Sequence, residues 1–169
     1  ALDKQRNVLV AAGLAADDES LNAEDVAARF DPISQVVVDL VTGENVDGVD
    51  LLAFDQRAAA LDPAQSRIAP ENAARVVRLP EQALVYEVRD DEGQLELVVL
   101  PVEGLGLWGM LYGFVAFEGD LRTLRGLTFY EHKETPGLGG EVDNPRWKAL
   151  WTGRQAFDDT LSPVIGVIK

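Results

Sequence analysis

The stretch ALVYEVRDDEGQLELVVLPV, residues 83–102, decides the fold class of this protein. Large apolar residues recur at every second position on both sides of its polar segment DDEG, at Leu84, Tyr86, Val88, Leu95, Leu97 and Val99. A period of two is typical of β-strands with one apolar face. Gly93 supplies the positive φ that a tight connection between two strands requires. The stretch therefore predicts an antiparallel β-hairpin.

Two helices are predicted before the hairpin. The segment LDKQRNVLVAAGL combines good helix formers with a glycine that stops the helix. In LNAEDVAARF, Asn22 is the expected N-cap and Asp25 its partner in a capping box. Leu21 and Val26 occupy the positions of a hydrophobic staple across the same helix start.

Further strands and one late helix are predicted on either side of the hairpin. ISQVVVDLVTGE, GLGLWGMLYGFVAFEGD and LRTLRGLTFYEH all contain strand-like runs, and SPVIGVIK is expected to form the last strand. In DNPRWKALW, Asn144 is the expected cap and Pro145 the first helical residue. Residues 46–80 give no clear pattern, although LLAFDQRAAAL could be helical. This order predicts an α+β fold, a single domain over residues 1–169 with antiparallel β-sheet flanked by helices.

The composition excludes several classes of function. A net charge of −14 opposes binding to the phosphates of nucleic acid. The absence of cysteine removes thiol catalysis, disulfides, iron–sulfur clusters and cysteine zinc sites. No run approaches the roughly 20 apolar residues that a membrane-spanning helix needs. We therefore expect a soluble globular domain, and its start without Met suggests that the domain lies downstream of another segment.

The segment FYEHKETPGLGG, residues 129–140, holds the only histidine of the chain and a Pro-Gly turn. On a strand, His132 and Glu134 would share one face and could begin a metal site, but a solvated pair is the commoner arrangement without a second histidine. A Ser-His-Asp triad would have to use His132, and no serine lies in a G-x-S-x-G context. The glycines match neither a dinucleotide fingerprint nor a P-loop. Metal, nucleophile and phosphate chemistry are all disfavoured.

The same glycines would let a flat ligand lie close to the backbone, because glycine has no Cβ. Gly137 and Gly139 can expose N–H groups, Thr135 adds a hydroxyl, Pro136 stiffens the turn and Leu138 offers an apolar contact. A flavin ring needs this mixture, since its pyrimidine edge takes N–H donors and its dimethylbenzene edge takes apolar cover. A purely structural β-turn is the commoner use of such residues, so both interpretations stay open at this point.

ETPGLGG, residues 134–140, resembles the FMN-binding domain shared by the NqrC subunit of the sodium-translocating NADH:quinone reductase and the G-type subunit of the related Rnf electron-transport complex. LDKQRNVLVAAGL and GLGLWGMLYGFVAF resemble the segments that follow the membrane anchor and precede the flavin loop. YEHKETPGLGGEVDNPRWKALWTG is similar to the NqrC family in particular, through its Asn-Pro-Arg-Trp-Lys helix. The resemblance spans nearly the whole chain.

The resemblance implies an electron-carrier domain in a membrane complex that oxidises NADH, reduces ubiquinone and exports sodium. The domain would face the periplasm at the bacterial inner membrane, held by an N-terminal transmembrane helix missing from this chain, with the other subunits as partners. Enzyme activity would belong to the complex, as a translocase, so no catalytic residue and no metal ligand is assigned here. The alternatives are the G-type subunit of an Rnf-type complex and a non-redox interaction domain of the same fold.

The resemblance also implies which residues contact FMN. The loop carried over comprises Glu134, Thr135, Pro136, Gly137, Leu138 and Gly139. Trp108 is a further candidate for flavin contact, or alternatively a core aromatic residue, whereas Trp147 and Trp151 are expected to pack on the late helix. Family members carry FMN through its phosphate on a threonine in an S-G-A-T motif. None of the six threonines here has that context, so we expect the linkage on a threonine outside this chain and no covalent FMN on these residues.

Overall fold

A computed structural model describes residues 2–166 and confirms the predicted α+β class. The helices are α1 (Leu2–Ala11), α2 (Ala23–Phe30), α3 (Gln56–Leu61) and α4 (Pro145–Ala149), with a 3₁₀ helix at Gly139–Asp143. The strands are β1 (Ser34–Asp39), β2 (Ser66–Ile68), β3 (Arg78–Pro80), β4 (Gln82–Arg89), β5 (Leu95–Leu105), β6 (Met110–Glu118) and β7 (Leu124–Glu131). None of the helices within residues 2–166 has the length and apolar character needed to span a bilayer.

Five strands form one antiparallel sheet in the order β1-β4-β5-β6-β7, and β2 pairs with β3 separately. The predicted hairpin is the β4–β5 pair, and Gly93 in its connection has a φ of 79°. In the next two pairs, Leu105 lies opposite Met110 and Tyr112 lies opposite Glu131. The end of β5, the start of β6 and the end of β7 therefore meet at one end of the sheet, which we call the tip end.

Side chains alternate between two faces of this sheet, and both faces are covered over much of their area. On the helix face, Tyr86 and Phe114 belong to a core cluster with residues of α1 and α2, and Phe114 is completely buried. On the opposite face, Val85 and Val98 pack with residues that include Trp151 and others of the C-terminal segment. We call this second side the C-terminal face. The sequence pattern predicted only one apolar face, because Val85 and Val98 lie between the large apolar residues that define the alternation and were taken for its smaller members.

The predicted helix starts are confirmed in atomic detail. The Asn22 side chain accepts a hydrogen bond from the Asp25 N–H, and the Asp25 carboxylate accepts one from the Asn22 N–H, so the capping box is complete. Asn144 caps α4 by accepting from the Arg146 N–H, with Pro145 as the first helical residue. These signals act within four residues, which is why a sequence alone reveals them.

Helix α1 lies against β7 and runs antiparallel to it. A Cβ on Gly126, near the start of β7, would lie 2.5 Å from the carbonyl oxygen of Ala11, at the end of α1. Asp3 and Lys4, in the first turn of α1, line the same cavity as Tyr130 and Glu131 at the end of β7. The first turn of α1 therefore lies towards the tip end of the sheet.

Two sequence predictions need correction. In the unclear region 46–80, the helix is confined to α3, and the short strands β2 and β3 pair with each other. The final strand is wrong for residues 162–166, where Pro163 makes one isolated bridge to Phe157. Ile165 instead packs on the C-terminal face, so the apolar residues of this segment bury their side chains without extending the sheet. Residues 167–169 of that prediction lie outside the described residues.

Candidate functional site

The Thr135–Leu138 segment is a type II β-turn at the tip end of the sheet. The Leu138 N–H donates to the Thr135 carbonyl over 3.1 Å, and the Gly140 N–H donates to the same oxygen over 2.9 Å. Pro136 occupies the second position, and Gly137 has a φ of 77° at the third. Type II turns favour these two residues at these positions, because proline presets φ and glycine tolerates a positive φ.

The turn presents its groups to solvent. Thr135, Pro136, Gly137, Leu138 and Gly139 are all exposed, and Leu138 retains 73% of its accessible surface. Within residues 2–166, neither the Gly137 N–H nor the Thr135 hydroxyl has a hydrogen-bond partner. The turn therefore offers two hydrogen-bonding groups and one large apolar side chain to a ligand.

A second loop, the connection between β5 and β6, lies beside the turn. The Gly106 N–H donates to the Gly109 carbonyl over 2.8 Å, which leaves Leu107 and Trp108 at the extreme tip of this hairpin. Leu107 is 78% exposed and Trp108 is 64% exposed. The core alternative for Trp108 is therefore wrong, and the residue is available to contact a ligand or a partner. We refer to residues 106–109 as the hairpin tip.

Glu134 joins the turn to the hairpin tip. Its Oε1 accepts a hydrogen bond from the Trp108 N–H over 3.0 Å. A Cβ on Gly106 would collide with Oε1, and a Cβ on Gly139 would lie 2.6 Å from Oε2. The two glycines therefore leave room for this carboxylate between the loops. Residues 108 and 134 are 26 positions apart, so no local sequence signal could reveal the contact.

An apolar depression of about 270 Å³ lies on the sheet at the tip end. Its lining consists of Val102, Glu103, Gly104, Leu105, Leu111 and Phe129. Phe129 lies across Gly113, since a Cβ there would come within 2.9 Å of the Phe129 ring. The depression and the exposed side chains of Trp108 and Leu138 are the apolar groups at the tip end, where the turn adds its polar groups.

His132 has a structural environment that the sequence did not indicate. Strand β7 ends at Glu131, so the premise that His132 and Glu134 share a strand face is wrong. The Glu134 N–H donates to His132 Nδ1 over 3.2 Å, and Nε2 lies 2.8 Å from the Asp143 carboxylate. Across residues 2–166, the structure contains no cluster of three His, Asp or Glu side chains arranged to hold a metal ion.

A larger cavity of about 860 Å³ lies on the helix face and was not predicted. Its central feature is the Arg57 guanidinium, which stacks 3.5 Å above the Tyr112 ring and donates hydrogen bonds to Tyr130 and Glu131. Burial lowers the pKa of Lys4 and raises the pKa of Glu103 at its walls. The turn 135–138 lines neither this cavity nor the depression at the tip end. An apolar ring edge is better matched by the depression, because Glu103 is the one charged residue in its lining, whereas the cavity wall carries several charged side chains.

Trp147 on α4 and Trp151, just after its end, pack against each other, as expected of packing residues. Their ring centroids lie 5.2 Å apart in an edge-to-face arrangement, and Trp151 contacts the core of the C-terminal face. Between them, Lys148 is buried and its ammonium lies 2.6 Å from the Asp17 carboxylate. The sequence did not indicate this ion pair, which fastens α4 to the loop after α1.

The chain is similar to known proteins in sequence and in fold. The model of the FMN-binding domain family matches residues 106–165, which include the hairpin tip, the turn and α4. The NqrC subunit of the Na⁺-translocating NADH-quinone reductase of Pseudomonas aeruginosa is 47% identical over 171 residues, covering 99% of this chain and 64% of that protein. The crystal structure of NqrC from Shewanella oneidensis has a TM-score of 0.85 and 37% identity, covering 98% of this chain and 75% of its own. The chain belongs to the NqrC family.

Membership of the NqrC family confirms the family resemblance drawn from the sequence. The corresponding NqrC subunit of Vibrio anguillarum is 43% identical over 170 residues. These NqrC relatives are named as subunits of an oxidoreductase, the Na⁺-translocating NADH-quinone reductase. The chain spans 64% of the length of the Pseudomonas and Vibrio relatives. The sheet of five antiparallel strands with flanking helices matches the fold of Shewanella oneidensis NqrC.

Proposed function

We propose that this chain is the FMN-binding domain of the NqrC subunit in a Na⁺-translocating NADH-quinone reductase, where it passes electrons between other cofactors of the complex. The whole complex would oxidise NADH, reduce ubiquinone and move sodium. This domain would contribute a fixed place for one redox group, and its partners would be the other subunits.

The observation that carries the proposal is the composite surface at the tip end. A flavin combines a ring edge that needs N–H donors with a ring edge that needs apolar cover. The turn provides the Gly137 N–H and the Thr135 hydroxyl, without partners among residues 2–166, beside the exposed side chain of Leu138. Leu111 and Phe129 line the apolar depression at the same end of the sheet. The residues present therefore fit the chemical demands of FMN.

Each residue of the loop has a defined part in this proposal. Thr135 and the backbone of Gly137 would hydrogen-bond the polar edge of the ring, while Leu138 and Trp108 would cover its apolar part. Pro136 and Gly139 would shape the loop, Pro136 by presetting φ and Gly139 by leaving room for the Glu134 carboxylate. When bound, FMN supplies one-electron and two-electron redox chemistry, and these residues bind and orient it.

We further propose that FMN is linked through its phosphate to a threonine outside residues 1–169. Six threonines occur in this chain, and none follows an S-G-A motif. Residues 1–169 expressed alone should therefore show no mass increase corresponding to FMN, even beside the enzyme that attaches it. Covalent FMN on this chain would contradict the proposed linkage.

The proposed location is the periplasmic side of the bacterial inner membrane, with a transmembrane helix of the complete protein as the anchor. Of the alternatives, the G-type subunit of an Rnf-type complex is less favoured, because the relatives named above are all NqrC proteins. A non-redox interaction domain would use the same exposed apolar residues but would need no Gly137 N–H.

A matched pair of glycine variants tests the proposal in the full-length protein with its flavin attached. Gly137 and Gly93 both have positive φ, and a Cβ at either would meet no atom within 4 Å. Alanine at either site should therefore cost a similar amount of stability, about 1–2 kcal/mol, because an L-residue is strained at positive φ. We expect only Gly137→Ala to change the flavin absorption spectrum and midpoint potential. Equal flavin properties in the two variants would refute the proposed contact.

A further inference from the structure

The carboxylate of Glu134 is directed at the hairpin tip and held there by surrounding atoms. The carboxylate accepts a hydrogen bond from the Trp108 N–H. A side chain at Gly106 or at Gly139 would occupy the space that the carboxylate fills. We propose that Glu134 is a positioning residue, which holds the turn 135–139 against the hairpin tip and so sets the spacing of the two loops. This inference deepens the proposed function, but the loop contact itself does not depend on a flavin.

The backbone of Glu134 is fixed by His132. Because His132 Nδ1 accepts the Glu134 N–H, the proton of the neutral ring must lie on Nε2, which then donates to Asp143. The His132 side chain is only 14% exposed, and Asp143 ends the 3₁₀ helix that follows the turn. One chain of hydrogen bonds thus runs from the 3₁₀ helix through His132 and Glu134 to Trp108. The only histidine of the protein thus links the 3₁₀ helix to Glu134.

The hairpin tip is also held by neighbours of this chain of hydrogen bonds. The methylene groups of Lys133 lie beside Gly109, where a Cβ would come within 3.4 Å of Lys133 Cδ. On the other side, the Arg75 guanidinium donates to the Gly106 carbonyl over 3.0 Å. These two contacts are at Gly106 and Gly109, the first and last residues of the hairpin tip. Glu134 alone among residues 2–166 accepts a hydrogen bond from the amide of Trp108, the residue whose side chain is offered to solvent.

Glu134 acts on its surroundings in two ways, as a hydrogen-bond acceptor and as a negative charge. As an acceptor it restrains the backbone of Trp108, and a charged acceptor forms a stronger hydrogen bond than a neutral one. As a charge it opposes the addition of negative charge to any ligand nearby. Glu134→Gln retains an acceptor oxygen and removes the charge, whereas Glu134→Ala removes both.

Amide hydrogen exchange of Trp108, measured in the full-length, flavin-loaded protein, tests the positioning role. In Glu134→Ala we expect exchange at this amide to be about tenfold faster or more, because a hydrogen bond to a charged group is lost. Glu134→Gln should keep most of the protection. Glu131→Gln is the matched control, since Glu131 pairs with Arg57 on the helix face, and it should leave Trp108 exchange unchanged.

A second variant covers the case in which Glu134→Ala does not fold. Gly139→Ala places a methyl group against Glu134 Oε2 and should also accelerate exchange at Trp108. Protection of the Phe114 amide, in the core, reports whether each variant is folded. Unchanged Trp108 protection in folded Glu134→Ala or Gly139→Ala would overturn the proposal, as would equal loss in Glu134→Gln and Glu134→Ala.

The flavin gives an independent readout in the same samples. We expect Glu134→Gln to raise the midpoint potential, since removal of a nearby negative charge favours the electron-rich form. Glu134→Ala should in addition change the visible spectrum, because the loops shift relative to the ring. If Trp108 exchange accelerates while spectrum and potential stay constant, the loop contact stands and the proposed flavin site fails.

Discussion

The ion pair between Lys148 and Asp17 can be removed by substituting either partner. We predict that the two substitutions lower the stability of the protein by unequal amounts. The ammonium of Lys148 lies 2.6 Å from Asp17 Oδ1 and 3.4 Å from the Thr128 hydroxyl. The Lys148 side chain is 10% exposed, whereas that of Asp17 is 33% exposed. Removal of Asp17 would leave a buried ammonium without its counter-charge, but removal of Lys148 would leave a carboxylate that water can reach.

The magnitude follows from the distance and the burial. At an effective dielectric constant of about 20, two charges 2.6 Å apart attract by about 6 kcal/mol before solvation is considered. Removing one partner of a fully buried pair costs about 3–5 kcal/mol, and an exposed pair contributes at most about 1 kcal/mol. For this half-buried pair we expect Asp17→Ala to cost about 2 kcal/mol of unfolding free energy, or about 4–8 °C in Tm at this chain length.

The opposite substitution should cost less. Lys148→Met keeps the aliphatic volume and leaves Asp17 partly hydrated, so we expect a loss below about 1 kcal/mol. In the double variant Asp17→Ala/Lys148→Met, no unpaired charge remains. Its stability should therefore exceed that of Asp17→Ala, with a coupling energy above about 1 kcal/mol.

Urea unfolding followed by circular dichroism measures all four proteins of this cycle. The slope of the unfolding free energy against urea concentration should be the same in each protein, so that differences in the midpoint of unfolding report differences in stability. Equal destabilisation by Asp17→Ala and Lys148→Met, with coupling near zero, would show that the ammonium is hydrated and that the burial argument is wrong.

Three further predictions concern the caps, the sheet and the core. Asn22→Ala should lower the unfolding free energy by about 1 kcal/mol, because the Asp25 N–H loses its acceptor; an unchanged Tm would contradict the capping role. Gly126→Ala should cost about 1–3 kcal/mol, since its Cβ would lie 2.5 Å from the Ala11 carbonyl and displace α1; a neutral result in thermal unfolding would argue against this packing. Burial raises the pKa of Tyr86, so above about pH 10 the unfolded chain releases this proton before the folded one does, and stability falls as pH rises. The stability of Tyr86→Phe should therefore fall less steeply as the pH rises above about 10. If the plots of stability against pH are parallel for the two proteins, the raised pKa of Tyr86 is refuted.

Much of the fold could be predicted because its signals are short-range. The capping box at Asn22, the cap at Asn144 and the turn at Gly93 each depend on hydrogen bonds or φ values within a few residues. Where local signals are weak, prediction was poor: residues 46–80 contain a helix of six residues and strands of three. In such short elements, tertiary contacts outweigh intrinsic propensity.

The candidate site was predictable in part for the same reason. The Pro136–Gly137 pair specifies its own turn, so the exposed N–H and the exposed Leu138 follow from the sequence. The position of Trp108 does not follow from the sequence, because a tryptophan can lie in a core or at a surface. Only the hairpin register, with Gly106 bonded to Gly109, places that side chain in solvent.

By itself, the amino-acid sequence determined most of the longer elements, the α+β class, the turn at the site and the family. The physical reason is that caps, turns and alternation are encoded over two to four residues, and the family motif is contiguous. Tertiary structure decided which groups meet across longer separations: Glu134 with the Trp108 amide, His132 with Asp143, and Lys148 with Asp17. Such contacts depend on how the sheet and helices pack in space, and the same side chains would be ordinary solvated charges in any other arrangement.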